Sequence, residues 1–411
     1  MRRILVSAAV AVALVVPLLA IPAADAVVGP VVPATQFGMT VNGIGGTGSV
    51  PAGTGSVRLW DVGATWAQIN PSLGVYNWAP LDAAVTRARA MGVRDIDYVL
   101  GSTPYWARIP YSAERGDSYG PGSASHPARD SYYLDFLRAV VTRYKGRITS
   151  YEIWNEANLS GFYRGTPTQL ARLTLASYRL IKSLDPRAIV GSPSWYLRFW
   201  APQREAQLAA LRAVGWPFDF VSVHGYPYPL QGPDNRATLL ASFKARLAAL
   251  GVHKPIWDTE ANFGNRRAGF PIRTYVGAAA AQDVARAYID SLRYGVARTY
   301  WYSWDAHTGG IDMIDALGRP TAAGVAFSTL SKWVVGLHWN GCTTASNGIS
   351  RCALMTSTGA KRSIIYTPGG AVKTTVPLHA FTLCSLDGRC RTVKPGTVFY
   401  LTGAPRFVVG A

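Results

Sequence analysis

From Gln36 to about Val335 the chain repeats one pattern, a short β-rich run followed by an amphipathic helical stretch. Few architectures accept that pattern, because side-by-side parallel strands need long crossovers and helices supply them. The β-rich runs are Gln36–Val41, Ser56–Asp61, Asp95–Leu100, Thr149–Asn155, Ala188–Ser192, Phe218–His224, Pro255–Glu260 and Arg298–Trp304. Helical patterns fall at Leu81–Met91, Ser131–Tyr144, Thr168–Leu184, Arg204–Val214, Ala237–Leu250, Gly277–Tyr294 and Ala322–Val335. Several end on a glycine where a helix needs a left-handed residue, as at Gly92, Gly215, Gly251, Gly295 and Gly336. Eight strands alternating with helices over about 300 residues is the count of an α/β (β/α)8 TIM barrel. The first crossover departs from it: Asn42–Gly55 is glycine-rich without a helical pattern, so a loop replaces the first helix. An open doubly wound sheet would place a phosphate-binding turn before a helix there, and no helix follows Gly43–Gly48.

Three segments complete the layout. Residues 1–26 read as a secretory signal peptide, with Arg2 and Arg3 before the apolar run Ile4–Ile21 and a small-x-small site at Ala24–Ala26. The barrel occupies 27–336. Residues 337–411 form a small all-β domain, with alternating runs at Arg362–Thr367, Val372–Leu378, Phe381–Leu383 and Thr397–Leu401 and a turn at Asp387-Gly388. Such a module is small for a core of its own, so it is expected to pack on the barrel and to carry disulfides. All four cysteines lie in it, and the simplest of their three pairings is local, Cys342–Cys352 and Cys384–Cys390. No C-x-x-C pair is present, and no metal is expected. The chain is expected to be secreted, extracellular or cell-envelope associated.

In a barrel the chemistry gathers at the C-terminal ends of the strands. The fourth predicted strand runs into Tyr151-Glu152-Ile153-Trp154-Asn155-Glu156-Ala157-Asn158, and the seventh into Ile256-Trp257-Asp258-Thr259-Glu260. These strands face each other, so Glu156 and Glu260 can enter one pocket from opposite walls. Glycoside hydrolysis needs such a pair, one carboxylic acid for the leaving oxygen and one carboxylate for the anomeric carbon. Glu152, two residues inside its strand, reads as a buried structural acid paired with a barrel arginine. No G-x-S-x-G, H-E-x-x-H or P-loop occurs, and no cofactor is required.

Trp154-Asn155-Glu156, with Ala157-Asn158 and the following Phe162-Tyr163, resembles the fourth-strand signature of clan A retaining glycoside hydrolases. It is most similar to family 39 and its relatives, then to family 5. The resemblance implies that Glu156 is the acid/base, Glu260 the nucleophile and Asn155 the residue that holds the sugar 2-hydroxyl. Those families usually carry proline where this chain has Ala157. Arg58 matches the clan's arginine beneath the nucleophile, where it would keep Glu260 ionised. Glu156 would need a raised pKa to serve as acid. His224-Gly225-Tyr226 resembles the His-x-Tyr pair of family 5, with Tyr226 expected to donate to Glu260 and His224 to position substrate or Glu156.

Further substrate-binding residues are expected in Trp304 as a sugar platform, in Asp305 and His307 just beyond it, and in Trp106 after the third strand. Tyr105, Trp195 and Tyr196 are expected to line outer subsites, and Ser112–Pro127 to lie over the site. Charge enters last. Forty-one Lys+Arg against 23 Asp+Glu give +18, of which 33 are Arg, a bias that a GC-rich genome also produces. The excess suits electrostatic association with an anionic cell envelope. The arginines are dispersed, no nucleic-acid recognition module is visible, and a monomer is expected. The expected activity is hydrolysis of a polysaccharide or oligosaccharide, such as a galactofuranose- or arabinose-containing wall polymer, a β-xyloside or a β-glucan. The rival is a non-catalytic carbohydrate-binding or cell-wall-associated barrel, opposed by the presence of both glutamates, Asn155 and the His-x-Tyr pair.

Overall fold

The computed structural model describes residues 28–199, 201–266, 271–375 and 381–410; the signal-peptide segment expected at 1–26 lies outside them. Nine short parallel strands build the first sheet: β1 Phe37–Thr40, β2 Ser56–Leu59, β3 Asp95–Val99, β4 Ser150–Glu152, β5 Ile189–Gly191, β6 Trp195–Tyr196, β7 Val221–His224, β8 Ile256–Ala261 and β9 Val296–Trp301. Their order is β5-β4-β3-β2-β1-β9-β8-β7-β6. A parallel bridge between Gly191 and Phe220 joins β5 to the foot of β7 and closes the barrel. β6 continues alongside β7 through Trp195–Val223 and Tyr196–His224. β5 and β6 are therefore two pieces of one barrel strand, and the expected eight positions hold.

Helices α1 Trp66–Ile69, α2 Ala79–Ala90, α3 Asp130–Tyr144, α4 Pro167–Leu184, α5 Ala201–Ala213, α6 Pro233–Ala249, α7 Gly277–Tyr294 and α8 Ala322–Val334 cover the outside. As expected, turns rather than a helix link β1 to β2. Strand alternation sorts the residues: Val57, Leu59, Ile96, Tyr98 and Tyr151 join the core beneath the helices. Arg58 and Glu152 alternate with them and meet each other in the barrel interior. Among the described residues no helix is long and apolar enough to cross a membrane.

The all-β region holds β10 His338–Thr344, β11 Ser350–Met355, β12 Lys361–Tyr366, β13 Val372–Thr375, β14 Phe381–Cys384, β15 Cys390–Val393, β16 Val398–Leu401 and β17 Arg406–Val409. Six make one sheet, β10-β11-β12-β17-β14-β15, and β13 pairs with β16. Both disulfides take the local pairing, each between directly opposed residues, Cys342–Cys352 across β10/β11 and Cys384–Cys390 across β14/β15. Cys352, Leu354, Ile364 and Phe407 belong to the same apolar core as the barrel, and Phe407 stacks on Trp333 of α8 at 5.3 Å. The first described residues also enter this region. Val31 pairs with His338, the Trp339 amide donates to Pro30 O at 2.9 Å, and the Gly29 amide donates to Asn340 Oδ1 at 2.8 Å.

Candidate active site

The centre of the site is Arg58, wholly buried on β2. Its Nε donates to Glu152 Oε1 at 2.6 Å, its Nη1 to Glu260 Oε1 at 2.7 Å and its Nη2 to Asn155 Oδ1 at 2.8 Å. Glu152 also accepts from Ser222 Oγ at 2.7 Å. It is the buried structural acid, and its barrel arginine is Arg58. Burial opposes its ionisation, but Arg58 and Asp97 outweigh that and hold Glu152 below the ordinary carboxylate range. Burial, reinforced by the Glu152 charge, pushes the carboxyl of its neighbour Asp97 well above the ordinary range.

Glu260 reaches the interior through an irregularity. Opposite β7, Val223 pairs with Asp258 but His224 pairs with Glu260, so β8 carries one extra residue, Thr259. Strict alternation would turn Thr259 and Glu260 to opposite faces. The bulge lets both point inward, Thr259 Oγ1 to Ser222 Oγ at 2.8 Å and Glu260 to Arg58. Tyr226 Oη donates to Glu260 Oε2 at 2.8 Å. Between His224 and Tyr226, Gly225 is required, since a Cβ there would stand 2.4 Å from Asp258 Oδ2. Arg236 of α6 holds that same aspartate.

Glu156 lies four residues beyond the end of β4, on a turn rather than in the strand expected to reach Asn155. Its φ is +43°, a left-handed conformation that costs a non-glycine residue free energy and persists where neighbours over-determine it. Those neighbours are specific. The Glu156 amide donates to Ser194 Oγ at 2.8 Å, the Ala157 amide to Ser194 O at 3.0 Å, and the Ser194 amide to Trp154 O at 2.8 Å. Asn158 clasps the backbone of Tyr196 from both sides, through Oδ1 at 2.9 Å and Nδ2 at 3.0 Å. A proline at 157 has no amide to give, so alanine at this position is used by the fold.

His224 joins the two walls. Its Nδ1 lies 2.8 Å from Glu156 Oε1 and 3.4 Å from Glu260 Oε2. Arg58 Nη2, which can only donate, lies 3.4 Å from Nε2. That assigns the lone pair to Nε2 and the proton to Nδ1, aimed at Glu156. Burial lowers the His224 pKa, consistent with a neutral ring. One oxygen of each glutamate and a ring nitrogen of His224 fall within 4.8 Å of one another, the only such trio of potential metal ligands among the described residues. The buried guanidinium already neutralising Glu260 makes this a poor place for a second cation. The proton affinity of Glu260 is pulled both ways. Burial raises the Glu260 pKa, Glu156 and Asp61 add to the rise, and Arg58, which divides its charge between Glu152 and Glu260, opposes it together with His224.

The outer residues divide. Trp304 is 6% exposed and packed in the core against Gly324 of α8, so it is not a sugar platform. Tyr302, two positions earlier and half-buried, faces the site: its hydroxyl donates to Asp61, and the Glu260 charge acts on it. Trp106 is turned away, donating to Asn70 O at 2.8 Å and packing edge-on against Trp66 and Tyr132. Asp305 accepts the amides of Asn42 and Gly43 at 2.8 Å and so pins the first loop. His307 is exposed and bonds Asp312 Oδ1 at 2.9 Å. Trp195 is core and bonds Gln207 at 2.9 Å, whereas Tyr196 packs on Tyr226, 5.5 Å between ring centroids. Tyr105 is exposed beneath the Arg108 guanidinium. The Ser112–Pro127 segment does cross toward the site, where Tyr119 donates to Asp61 and packs edge-on against Trp60 at 4.9 Å. Asp61, Tyr119, Tyr302 and Ser194 were missed by the sequence reading. The signal available for Asp61 was its place just past the end of the β2 run.

No family model matches the chain. Among curated proteins it is similar to a β-xylosidase of Geobacillus stearothermophilus, 27% identical over 173 residues, or 37% of this chain and 31% of that protein. It is also similar to the β-galactosidase BbgII of Bifidobacterium bifidum, 25% identical over 159 residues, or 35% of this chain and 22% of that one. The chain thus spans less than a third of the length of these relatives. Among solved structures, a family 39 glycoside hydrolase from Bacteroides cellulosilyticus WH2 superposes with a TM-score of 0.70 at 17% identity, covering 92% of this chain and 81% of that one. A monomeric β-xylosidase from Caulobacter crescentus CB15 gives 0.62 at 17% identity, covering 93% and 97%. The fold is the one shared by family 39 and other clan A glycoside hydrolases.

Proposed function

We propose that this chain is an exported retaining glycoside hydrolase that cleaves an O-glycosidic bond of a poly- or oligosaccharide by double displacement. The observation that carries the reading is the spacing of Glu156 and Glu260, oxygens within 4.8 Å across the barrel mouth. Retaining enzymes keep their two carboxyl groups about 5–5.5 Å apart, and inverting ones leave about 6.5–9.5 Å for a water.

In the first step a Glu260 oxygen attacks the anomeric carbon while Glu156 gives its proton to the departing glycosidic oxygen. Arg58 and Tyr226 hold Glu260 in line and favour its ionised form. His224 occupies Glu156 Oε1 as a donor, so the transferred proton is carried on Oε2. The bond from carbon to leaving oxygen breaks as the ester to Glu260 forms. In the second step Glu156, now a carboxylate, takes a proton from water, whose oxygen displaces Glu260 with a second inversion. Asn155, fixed through Oδ1 by Arg58, turns its amide donor toward the sugar 2-hydroxyl. Asp61, with Tyr119 and Tyr302, supplies acceptors and donors for further hydroxyls. The names of the relatives favour a β-xyloside or another β-linked pyranoside as substrate, and the basic surface favours action near an anionic envelope.

The test is turnover of aryl β-glycosides and glycan polymers by purified protein. Wild type is expected to release product with retained configuration, seen by NMR. Glu260→Gln is expected to be inactive. Glu156→Ala is expected to recover on activated aryl glycosides when azide is added, yielding a glycosyl azide of retained configuration. Product of inverted configuration, or turnover that survives Glu260→Gln, would sink the proposal.

A further inference from the structure

The charge of the protein is unevenly distributed. Residues 337–411 contain eight Lys or Arg and a single acid, Asp387, which is already paired with Arg389. Strand register decides where those cations point. The row Cys352–Ile364–Phe407–Cys384 faces the barrel and joins its core. Alternation turns the rows on either side outward: Arg351–Ile365–Arg406 in one, Ser363–Val408–Leu383–Arg391 in the other. The middle of that outward face is closed by Phe399 from the paired strands β13 and β16, packed with Leu383, Val408 and Ile365. At its edge remains a cleft of about 480 Å³, whose lining includes Arg389, Arg391, Arg406, Phe399 and Tyr400. Tyr400 is 64% exposed. Neither Arg391 nor Arg406 has an acidic partner among the described residues.

We propose that this cleft binds an acidic glycan, a sugar chain bearing carboxylate or sulfate groups, with Tyr400 against a sugar ring and the Arg391 and Arg406 guanidinium groups on its anions. Guanidinium forks match planar oxyanions, and an exposed aromatic face beside them suits the apolar side of a pyranose. Unpaired arginines around a concave surface concentrate anions there far more than a mixed-charge surface does. A stripe of cations along one helix or strand would suit a nucleic-acid backbone instead. Here the two unpaired cations come from different strands, Arg391 on β15 and Arg406 on β17, around one aromatic cleft. The site lies on the sheet face turned away from the barrel, so it goes beyond the hydrolase reading and does not depend on it.

The experiment measures binding without turnover, by titration calorimetry on the full disulfide-bonded protein carrying Glu260→Gln. Polygalacturonate serves as the carboxylated probe, dextran sulfate as the sulfated one, and dextran as the neutral control. Binding is expected to one or both acidic polymers and not to dextran, and which one binds distinguishes carboxylate from sulfate. The double variant Arg391→Ala/Arg406→Ala is expected to weaken it at least tenfold with an unchanged thermal midpoint. Tyr400→Ala, which keeps the charge, is expected to weaken it severalfold. A second double variant, Arg179→Ala/Arg212→Ala, removes the same charge from exposed helix positions and is expected to leave affinity unchanged. No binding to either acidic polymer, an equal loss in the second double variant, an unaffected Tyr400→Ala, or single-stranded DNA bound as tightly through the same arginines would each overturn the proposal. Because no hydrolysis is read, failure here leaves the hydrolase reading where it was.

Discussion

Glu260 and Glu156 enter the same space from opposite walls, and different forces hold them there. On the β8 side the restraint is ionic and deep in the barrel. Arg58 bridges Glu152 and Glu260, with Tyr226 closing the second oxygen of Glu260. On the β4 side the restraint is backbone hydrogen bonding between two loops, with Ser194 taking successive amides and Asn158 gripping Tyr196. Glu260, the proposed nucleophile, thus sits in a charge network that sets its proton affinity. Glu156, the proposed acid/base, sits on a turn and meets that network through His224. One carboxylate is built into the sheet, and the other is carried on a loop.

The largest expected effect comes from taking the charge out of the β8 wall. Arg58→Met leaves Glu152 and Glu260 buried without their cation, a loss of about 3–5 kcal/mol of stability. It should lower both the denaturant midpoint and kcat/KM, and a normal midpoint would show that the buried carboxylates do not rely on Arg58. Next is Tyr226→Phe, which removes one donor to a charged acceptor, about 1.5–3 kcal/mol. Its kcat/KM should fall roughly 10–100-fold by the same energy, with little change in stability. The β4 wall is probed by Ala157→Pro, which deletes the amide given to Ser194 and restricts the backbone of Glu156 before it. An unpaired Ser194 carbonyl costs about 1–3 kcal/mol, and kcat should fall more than KM rises.

The pH profile separates the walls most sharply. In the proposed mechanism Glu260 attacks as a carboxylate, and burial raises its pKa, so kcat/KM should fall toward acid with a midpoint above the ordinary glutamate range. Arg58 favours the ionised form, so Arg58→Met should move that midpoint further up, while Ala157→Pro should leave it in place. A shift of equal size in both would erase the distinction. The smallest effect belongs to Trp304→Phe, expected to change KM by less than about twofold because the indole fills core space, whereas Tyr302→Phe should raise it more.

Much of this arrangement could be read from residue order, and the misreadings have physical causes. The strand-end rule places Glu156 and Glu260 at the barrel mouth, whereas Arg58, His224 and Tyr226 are picked out by the resemblance to clan A glycoside hydrolases. The inward turn of Glu260 rests on a one-residue bulge that no pattern in Ile256–Glu260 announces. Trp304 looked like a platform because the run Arg298–Trp304 was read as strand to its end, yet β9 ends at Trp301 and the backbone then turns, presenting Tyr302 instead. Trp106 and Asp305 each satisfy a partner in a different loop, Asn70 and Asn42–Gly43, and His307 bonds Asp312 within its own loop. The first two pairings are long-range facts that local sequence does not contain.

The strap at Gly29–Val32 has a consequence for how the molecule comes apart. His338 Nδ1 meets Gly29 O at 2.8 Å across 309 positions of chain, so the β-module's first strand is completed by residues that precede the barrel. Neither region can be removed by cutting near Gly336 without leaving the other with an unpaired strand and an uncovered share of one common core. Chains with separable domains melt in successive steps, whereas interlocked regions lose their structure together. Calorimetry should therefore record a single endotherm, and limited proteolysis should yield either intact protein or small peptides, with no long-lived barrel fragment between them.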